Sequence, residues 1–287
     1  MKITRGITVA ITVLALTAGS AVAAQASGGL SQRSETSVRT TSEPVTVQDI
    51  SISVPGQDPV SAYLVRPSGP ARRNSLAGIV YLHWFEPPAS TQNRTEFLAE
   101  AVAMAAKGAV AILPDLRFPW TIDVTGDDQD VARIKAQVDA LDRVYATLLT
   151  QPGVDSRRTA VVGHDYGAMF GSLLVSRHPG VRAEVFMAGD ATWANWFTTY
   201  FVNVDDPVAY AQSFHGLDPV DNVSHRGSRL YLQWAGQDQF VSEQVRDEFS
   251  AADPTAAVSL YSNAGHFLDQ RGKDVRIAWV SMELGLH

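Results

Sequence analysis

Hydrophobic and polar positions change their rhythm at residue 45. From Val45, the stretch VTVQDISISV alternates apolar and polar side chains, and VSAYLVRPSG follows after the turn at Gly56-Gln-Asp-Pro59. A period of two is typical of a strand with one buried face. We therefore predict an antiparallel hairpin at the edge of a sheet.

Farther along, short apolar runs alternate with segments of helical periodicity. Strands are predicted over residues 77–84, 109–116, 158–164, 183–189, 229–236 and 257–263. Helices are predicted over residues 94–107, 127–151, 168–177, 241–249 and 275–286. This alternation predicts an α/β fold with a mostly parallel, doubly wound sheet of about eight strands, covered by helices on both faces.

Residues 190–228 interrupt this rhythm, because they are too long for a simple connection between two strands. The segment, called the insertion below, is rich in aromatic residues: Trp193, Trp196, Phe197, Tyr200, Phe201 and Tyr210. We expect it to form a small lid over a pocket. The same aromatic residues would also suit internal packing of the insertion.

The first 26 residues have the pattern of a secretory signal peptide. Lys2 and Arg5 precede an uncharged, mostly apolar run, and Ala21-Val-Ala23 and Ala24-Gln-Ala26 offer small-x-small cleavage sites. An uncleaved anchor is the alternative, which we disfavour because a span needs about 20 apolar residues. Residues 27–44 are predicted to be a flexible lead-in and 45–287 the folded domain. The protein is expected to be secreted or extracytoplasmic.

Charge and cysteine content narrow the possible partners. The net charge of −7 becomes −9 without residues 1–26, because Lys2 and Arg5 are lost and no acid is lost. We therefore expect no binding to nucleic acid and no stable membrane association after cleavage. With no cysteine, disulfides and thiolate chemistry are excluded. No metal-ligand spacing or phosphate-binding loop is evident, so we expect a small-molecule substrate and no metal or cofactor.

The segment Gly163-His-Asp-Tyr-Gly167 lies between a predicted strand and a predicted helix. Two glycines around a central side chain are the pattern of a nucleophile elbow. The central residue is Asp165, where serine is more usual. The N–H of Tyr166, at the start of the helix, is suited to bind an oxyanion.

An acid and a histidine follow the elbow in the order that this pattern requires. Asp238 follows one predicted strand, and His266 follows the last strand. Carboxyl ends of parallel strands meet at one edge of a sheet, so we predict a catalytic triad of Asp165, Asp238 and His266. Asp190, after the preceding strand, is the alternative acid.

Several motifs carry a resemblance to known families. The run from Gln151 to Asp165 resembles dienelactone-hydrolase-like and prolyl-oligopeptidase-like proteins, which place Ser or Cys at the central position. GHDYGA and GHF resemble epoxide hydrolases and haloalkane dehalogenases, which place Asp there. Pro114-Asp-Leu-Arg117 also resembles the epoxide hydrolases, in the segment after their fourth strand. The chain from about Val45 onward thus resembles the α/β-hydrolase superfamily. It departs from the epoxide hydrolases at His83-Trp-Phe-Glu-Pro87, which lacks their glycine, and in its short insertion.

An aspartate elbow favours attack at a saturated carbon. Attack on an ester would give a mixed anhydride and expel a far more basic alkoxide, whereas attack on an epoxide or alkyl halide gives a stable alkyl ester. We predict hydrolysis of that ester by water activated at His266. The oxyanion would face the N–H of Tyr166 and a backbone N–H from Trp84 or Phe85.

Other roles and other functions stay open from the sequence. Tyr200, Tyr210 and Tyr166 are candidate acids toward an epoxide oxygen, and Trp193 is a candidate lid contact. Asp115 and Arg117 are expected to form a buried ion pair or loop brace. The alternative functions are a dienelactone-hydrolase-like esterase or lactonase, in which the aspartate could act as a base, and an inactive hydrolase-fold binding protein.

Overall fold

The described part of the chain comprises residues 45–84, 94–223 and 229–287 of a computed structural model. The signal peptide predicted over 1–26 and the lead-in predicted over 27–44 lie outside the described residues, as do parts of the loop after the third strand and of the insertion.

Strands and helices follow one another much as the hydrophobic pattern predicts. The strands are β1 (Val45–Ile52), β2 (Val60–Pro67), β3 (Leu76–Leu82), β4 (Ala109–Pro114), β5 (Val154–His164), β6 (Ala183–Met187), β7 (Arg229–Ala235) and β8 (Ala257–Tyr261). The helices are α1 (Leu98–Ala106), α2 (Asp128–Leu149), α3 (Tyr166–Arg177), α4 (Trp193–Tyr200), α5 (Pro207–Ser213), α6 (Pro219–Asn222), α7 (Glu243–Ala251) and α8 (Gln270–Leu284).

The strands form one eight-stranded sheet in the order β1-β2-β4-β3-β5-β6-β7-β8. β1 pairs antiparallel with β2, and β2 with β4, while the remaining neighbours are parallel. The predicted edge hairpin and the predicted mostly parallel sheet are thereby confirmed.

Alternate side chains of the central strands supply two cores, one on each face of the sheet. Val161 belongs to the core that contains side chains of α2 and α3. Its neighbours Ala160 and Val162 belong to the core that contains side chains of α1 and α8. Because both faces are covered, the central strands carry continuous apolar runs rather than an alternating pattern.

Of the element boundaries that differ from the sequence prediction, two have identifiable local reasons. β5 begins at Val154, because that residue pairs with Leu76 of β3 across a register shift that the apolar pattern does not reveal. α8 begins at Gln270, because the carboxylate of Asp269 accepts a hydrogen bond from the N–H of Gly272 at 2.8 Å and caps the helix.

Candidate active site

The backbone of Asp165 turns sharply between β5 and α3. Its φ of 56° and ψ of −118° lie in a region that residues with a Cβ rarely adopt. Its N–H donates to the carbonyl of Met187 at 2.9 Å, and its carbonyl accepts from the N–H of Ala168 at 3.0 Å. These bonds hold Asp165 in a strained turn at the carboxyl end of β5, the geometry expected of an elbow.

The two glycines of the elbow are required by close approach of neighbouring backbone. A Cβ atom at Gly163 would collide with the carbonyl group of Gly167, and one at Gly167 would collide with the carbonyl group of Leu82. Neither residue has a positive φ, so space and not backbone conformation demands glycine here. The α3 helix can therefore approach β3 and β5 only with this pair of residues.

His266 forms a hydrogen-bonded pair with Asp238. Its Nδ1 lies 2.9 Å from one carboxylate oxygen of Asp238 and 3.1 Å from the other. Burial alone would raise the pKa of Asp238, but the bonds from His266 and from the N–H groups of Phe240 and Val241 outweigh burial and lower that pKa. The ionised carboxylate therefore orients the imidazole, with Nδ1 as the donor.

The loop that carries His266 lies directly beside the elbow. The ring of His266 is 4.7 Å from the ring of His164, the residue that precedes Asp165. The backbone carbonyl of His266 also lies 3.0 Å from Nε2 of His164. The structure thus brings the last-strand histidine to the elbow, as the strand order predicted.

Asp190, the alternative acid, has other partners. Its carboxylate accepts from the N–H of Thr192 at 3.0 Å and from the side-chain amide of Asn195 at 2.7 Å. Burial raises its pKa to about 6, although these bonds oppose the shift. Asp190 therefore braces the start of α4, and the carboxylate bonded to His266 is that of Asp238.

The N–H groups predicted to bind the oxyanion are those of Tyr166, Trp84 and Phe85, and their surroundings differ. Tyr166 is the first residue of α3, and N–H groups in the first turn of a helix find no carbonyl within that helix. Its N–H directly follows Asp165 in the chain, and its role as the oxyanion donor stays a prediction. The prediction for Trp84 is wrong, because its N–H donates to the carboxylate of Glu96 at 2.8 Å. Phe85 lies outside the described residues.

His83 ties the loop after β3 to the loop after β4. Its Nε2 accepts from the N–H of Leu116 at 3.0 Å, and its Nδ1 donates to the carbonyl of Trp84 at 2.9 Å. Burial lowers the pKa of His83 to about 4. The imidazole is therefore neutral near pH 7 and can both accept and donate.

The expected ion pair between Asp115 and Arg117 is not formed. Arg117 instead contacts the carboxylate of Asp58 at 3.0 Å near the surface. Burial raises the pKa of Asp115 to about 7, despite the opposing attraction of Arg94 and Arg117. An arginine can reach solvent along its long side chain, whereas the short aspartate stays where the backbone places it.

Two aromatic residues predicted to face substrate are instead structural. Trp193 is fully buried, and its indole N–H donates to the carbonyl of Leu217 at 2.8 Å. Tyr210 is also buried, and its hydroxyl donates to the carboxylate of Asp130 at 2.8 Å. Large rings gain most by leaving water when their polar atom finds a partner. The acid role for Tyr210 and the lid contact for Trp193 are therefore wrong.

Tyr200, the remaining candidate from the insertion, is partly exposed and lies beside the loop that carries Asp238. It is 40% exposed, and its hydroxyl donates to the carbonyl of Phe240 at 2.5 Å. Partial burial and the nearby carboxylates of Asp190, Asp238 and Asp165 raise its pKa. Tyr200 therefore stands beside the loop that carries the acid, within the electric field of the site.

Sequence reasoning missed an aromatic rim around His266. The ring centroid of Phe240 lies 4.9 Å from that of His266, and the ring centroid of Trp84 lies 6.0 Å from that of His266. Phe267 packs against Trp84 at 4.3 Å and is 50% exposed. Beyond His266, the ring of Tyr200 lies 5.9 Å from that of Phe240, and the ring of Phe201 lies 6.3 Å from that of Tyr166 in the elbow. We call Trp84, Tyr200, Phe201, Phe240 and Phe267 the aromatic rim. No spacing in the sequence signals it, because its members come from four separate segments: the end of α4 and the loops after β3, β7 and β8.

Sequence reasoning also missed Glu96, which precedes α1. One of its oxygens lies 2.6 Å from Nδ1 of His164, and the other accepts from the N–H of Trp84. In the sequence, Glu96 is simply a polar position in a helical pattern. Its role depends on three segments that only folding brings together.

Solved structures place this architecture among known folds. The chain is similar to a prolyl endopeptidase, with 15% identity and a TM-score of 0.66, over 85% of this chain and 39% of that chain. It is also similar to a protein of Klebsiella pneumoniae subsp. pneumoniae MGH 78578 assigned as a dienelactone hydrolase (15% identity, TM-score 0.59, 85% of this chain and 100% of that chain). An acetyl xylan esterase from Paenibacillus sp. R4 matches with 14% identity and a TM-score of 0.64, over 86% of each chain.

The chain has the α/β-hydrolase fold. The predicted fold class is thereby confirmed. The chain spans 39% of the length of the prolyl endopeptidase. No protein-family model matches the chain, and no curated protein is detectably similar to it in sequence. At these low identities the similarity establishes fold alone, so activity has to be argued from the site.

Among residues 45–84, 94–223 and 229–287, no group of three or more acidic or histidine side chains is arranged to hold a metal ion. Within the same described ranges, no helix has the length and apolar character that crossing a bilayer requires.

Proposed function

We propose that this protein is a hydrolase that uses Asp165 as a nucleophile toward an epoxide or an alkyl halide. The observation that carries the proposal is a carboxylate at a strained elbow, beside an oriented His266–Asp238 pair. We also propose, from residues 1–26, that the protein is exported.

In the first step, a carboxylate oxygen of Asp165 attacks a saturated carbon. A carbon–oxygen ester bond forms as the carbon–halogen or the epoxide carbon–oxygen bond breaks. A halide leaves with the bonding electron pair, whereas an epoxide oxygen must gain a proton. Tyr200 fits that acid role better than Tyr210, because it is partly exposed and stands beside the Asp238 loop.

In the second step, water hydrolyses the alkyl ester. His266 takes a proton from the water through Nε2, because Nδ1 donates to Asp238. The resulting hydroxide attacks the carboxyl carbon of Asp165, and the Tyr166 N–H stabilises the developing oxyanion. Collapse of this intermediate expels the alkoxide, which takes the proton of the newly formed carboxyl group and leaves as the alcohol, so Asp165 is again a carboxylate. His266 then passes its extra proton to Tyr200 in the epoxide reaction, or to solvent water in the halide reaction, so the enzyme is unchanged after one turnover.

The surroundings of the site favour an apolar substrate without negative charge. The aromatic rim offers exposed rings, such as Phe267 at 50% exposure and Phe201 at 38%. Asp165, Asp190 and Asp238 all act electrostatically on Tyr200 and would repel an anion. We expect a neutral or cationic electrophile with a bulky or aromatic group.

A second candidate is hydrolysis of an ester or a lactone. It is favoured by the similarity to the dienelactone hydrolase and the acetyl xylan esterase, and by the resemblance of residues 151–165 to such proteins. In that case Asp165 would act as a base rather than as a nucleophile, because a mixed anhydride would revert to substrate.

Intact-mass measurement of the His266→Gln protein tests these candidates. The variant would be incubated with epoxides, haloalkanes and activated esters, most of them neutral and aryl-bearing. Without its water-activating base, an Asp165 nucleophile should alkylate and stall, giving a mass increase equal to one electrophile.

The matched control is the His266→Gln, Asp165→Asn double variant, which should show no mass increase. An adduct that persists in the control would place the alkylation elsewhere and contradict the proposal. Steady ester turnover by the wild type with no adduct from epoxides or halides would favour the second candidate, and inactivity toward all of them would favour an inactive scaffold.

A further inference from the structure

A short chain of polar contacts joins three loops of the candidate site. One carboxylate oxygen of Glu96 lies 2.6 Å from Nδ1 of His164, and the other accepts the N–H of Trp84 at 2.8 Å. On its other side, Nε2 of His164 lies 3.0 Å from the carbonyl of His266. This arrangement, named the Glu96–His164 bridge, connects the loop after β3, the elbow and the loop after β8.

The proton positions of the Glu96–His164 bridge follow from its partners. A carbonyl oxygen can only accept, so Nε2 of His164 must carry a proton and donate it to His266. At Nδ1, one proton is shared between the imidazole and the carboxylate of Glu96 over 2.6 Å. The side chains of His164 and Glu96 are only 3% and 16% exposed, so water competes weakly for these bonds.

Packing leaves space on one side of the bridge. A cavity of about 320 Å³ is lined by Glu96, His164 and Phe267, together with residues of α1 and α8. Where packing is incomplete, fewer van der Waals contacts hold a loop in place. The position of the His266 loop on this side therefore depends strongly on the hydrogen bonds of the bridge.

We infer that Glu96 and His164 are positioning residues that hold the loops of Trp84 and His266 against the elbow. Asp238 orients the imidazole of His266, whereas His164 holds its backbone. A catalytic group displaced by even about 1 Å loses much of its rate advantage. The kinetic part of this inference rests on the proposed function, and the structural part does not.

Two substitutions of Glu96 separate hydrogen bonding from charge and size. Glu96→Gln keeps both bonds, because its amide oxygen can accept from Trp84 and its NH₂ can donate to Nδ1 of His164. Glu96→Met has a similar length and is also uncharged, but it can make neither bond. Any difference between the two variants therefore reports the hydrogen bonds of the bridge.

Hydrogen–deuterium exchange measured by mass spectrometry gives a readout that needs no substrate. In Glu96→Met, we expect backbone N–H groups near Trp84 and His266 to exchange at least about tenfold faster than in the wild type, as expected for lost bonds in a partly buried network. In Glu96→Gln, exchange should stay within about threefold of the wild type. Exchange unchanged in Glu96→Met, or equally fast in both variants, would overturn the inference.

Kinetics supply the second readout once a substrate is found. Glu96→Met should lower kcat by about 10- to 100-fold, with KM changed by less than about threefold, because the bridge touches the catalytic loops. Glu96→Gln should restore most of kcat. A rise in KM at unchanged kcat would contradict the positioning role.

The mass measurement on His266→Gln tests the proposed function, whereas the exchange measurement tests the role of the bridge. If the His266→Gln protein forms no adduct, the nucleophile proposal fails, while the exchange measurement still decides the role of the bridge. If Glu96→Met does not fold, as judged by circular dichroism, His164→Leu provides the second variant. It removes the bonds of His164 to Glu96 and to the carbonyl of His266 but leaves the bond from Trp84 to Glu96, so faster exchange is expected near His266. Wild-type exchange in that variant would refute the inference.

Discussion

Asp165 shows how one residue can be fixed in place while its chemistry stays open. Its turn fits between β5 and α3 because Gly163 and Gly167 have no Cβ to collide with neighbouring backbone, and its N–H is held by a bond to Met187. The same turn would present a serine equally well. What distinguishes this site is therefore the carboxylate and the oriented His266–Asp238 pair beside it.

At this scale, the first prediction concerns Asp238→Asn. An asparagine keeps the shape of the side chain but can turn its NH₂ toward Nδ1 of His266, which would then have to accept. The other nitrogen would carry the proton and could no longer remove one from water. We expect kcat to fall by roughly two to four orders of magnitude.

The alkyl-enzyme ester should accumulate in Asp238→Asn during turnover, and intact mass would detect it. Asp190→Asn is the matched control, because Asp190 bonds to Thr192 and Asn195 rather than to His266. A larger loss of kcat in Asp190→Asn than in Asp238→Asn would reverse the assignment of the acid.

At the scale of elements, the insertion is anchored mainly through its buried face. Trp193 and Phe197 of α4 and Tyr210 of α5 belong to the main core, while Tyr200 and Phe201 at the end of α4 stay exposed. The segment therefore packs most of its aromatic area against the domain and presents a short aromatic edge beside the Asp238 loop. Its length permits a partial cover of the site.

Tyr210→Phe tests this division of roles. The hydroxyl of Tyr210 donates to the buried carboxylate of Asp130, which also accepts from the N–H groups of Thr125 and Gly126. Removing the donor should lower the free energy of unfolding by about 1–3 kcal/mol. Activity per folded molecule should be unchanged, because the bond braces α5 against the first turn of α2.

Urea unfolding and turnover would be measured on the same Tyr210→Phe samples. Tyr200→Phe provides the comparison, since Tyr200 is exposed and should contribute less to stability but more to epoxide opening. Loss of epoxide turnover in Tyr210→Phe with unchanged stability would restore Tyr210 as the acid.

At the scale of the whole molecule, three buried or half-buried carboxyl groups give the free energy of unfolding an uncommon dependence on pH. Burial raises the pKa of Asp115 and of Asp218 to about 7, and that of Asp190 to about 6. Each of these groups binds a proton more tightly in the folded chain than in the unfolded chain. Folding is therefore favoured at a pH below their ordinary values near 4, and the advantage is lost as pH rises toward 7.

Asp115→Asn should remove one part of this dependence. At pH 8 we expect the variant to be more stable than the wild type by of the order of 1–2 kcal/mol, once solvent screening is allowed for. At pH 4 the two should be nearly equal, because Asp115 is then protonated in the folded chain. Urea unfolding at pH 4, 6 and 8 checks this.

Asp238 should show the opposite sign, because its pKa is lowered in the folded chain. Its contribution to stability is present above the ordinary aspartate pKa and is lost as the solution is acidified below it.

For Asp115→Asn, equal stabilisation at pH 4 and pH 8 would show that ionisation of Asp115 is not the cause.

The sequence by itself determined the order of strands and helices, the elbow and the sequence positions of Asp238 and His266. These features follow from local patterns: apolar runs of strand or helix period, and short motifs at strand ends. The carboxyl ends of parallel strands share one edge, so residues far apart in the chain could be expected to meet.

Only the tertiary structure decided which hydrogen-bond partner a group has, and which side chains are buried, where the sequence allowed several outcomes. In the folded chain, His266 bonds to Asp238, the N–H of Trp84 donates to Glu96, and Trp193 and Tyr210 are buried. Such outcomes depend on burial and on hydrogen-bond geometry of a few tenths of an ångström between distant segments. An amino-acid pattern specifies which groups can bond, but only packing of the folded chain decides which of them come within reach.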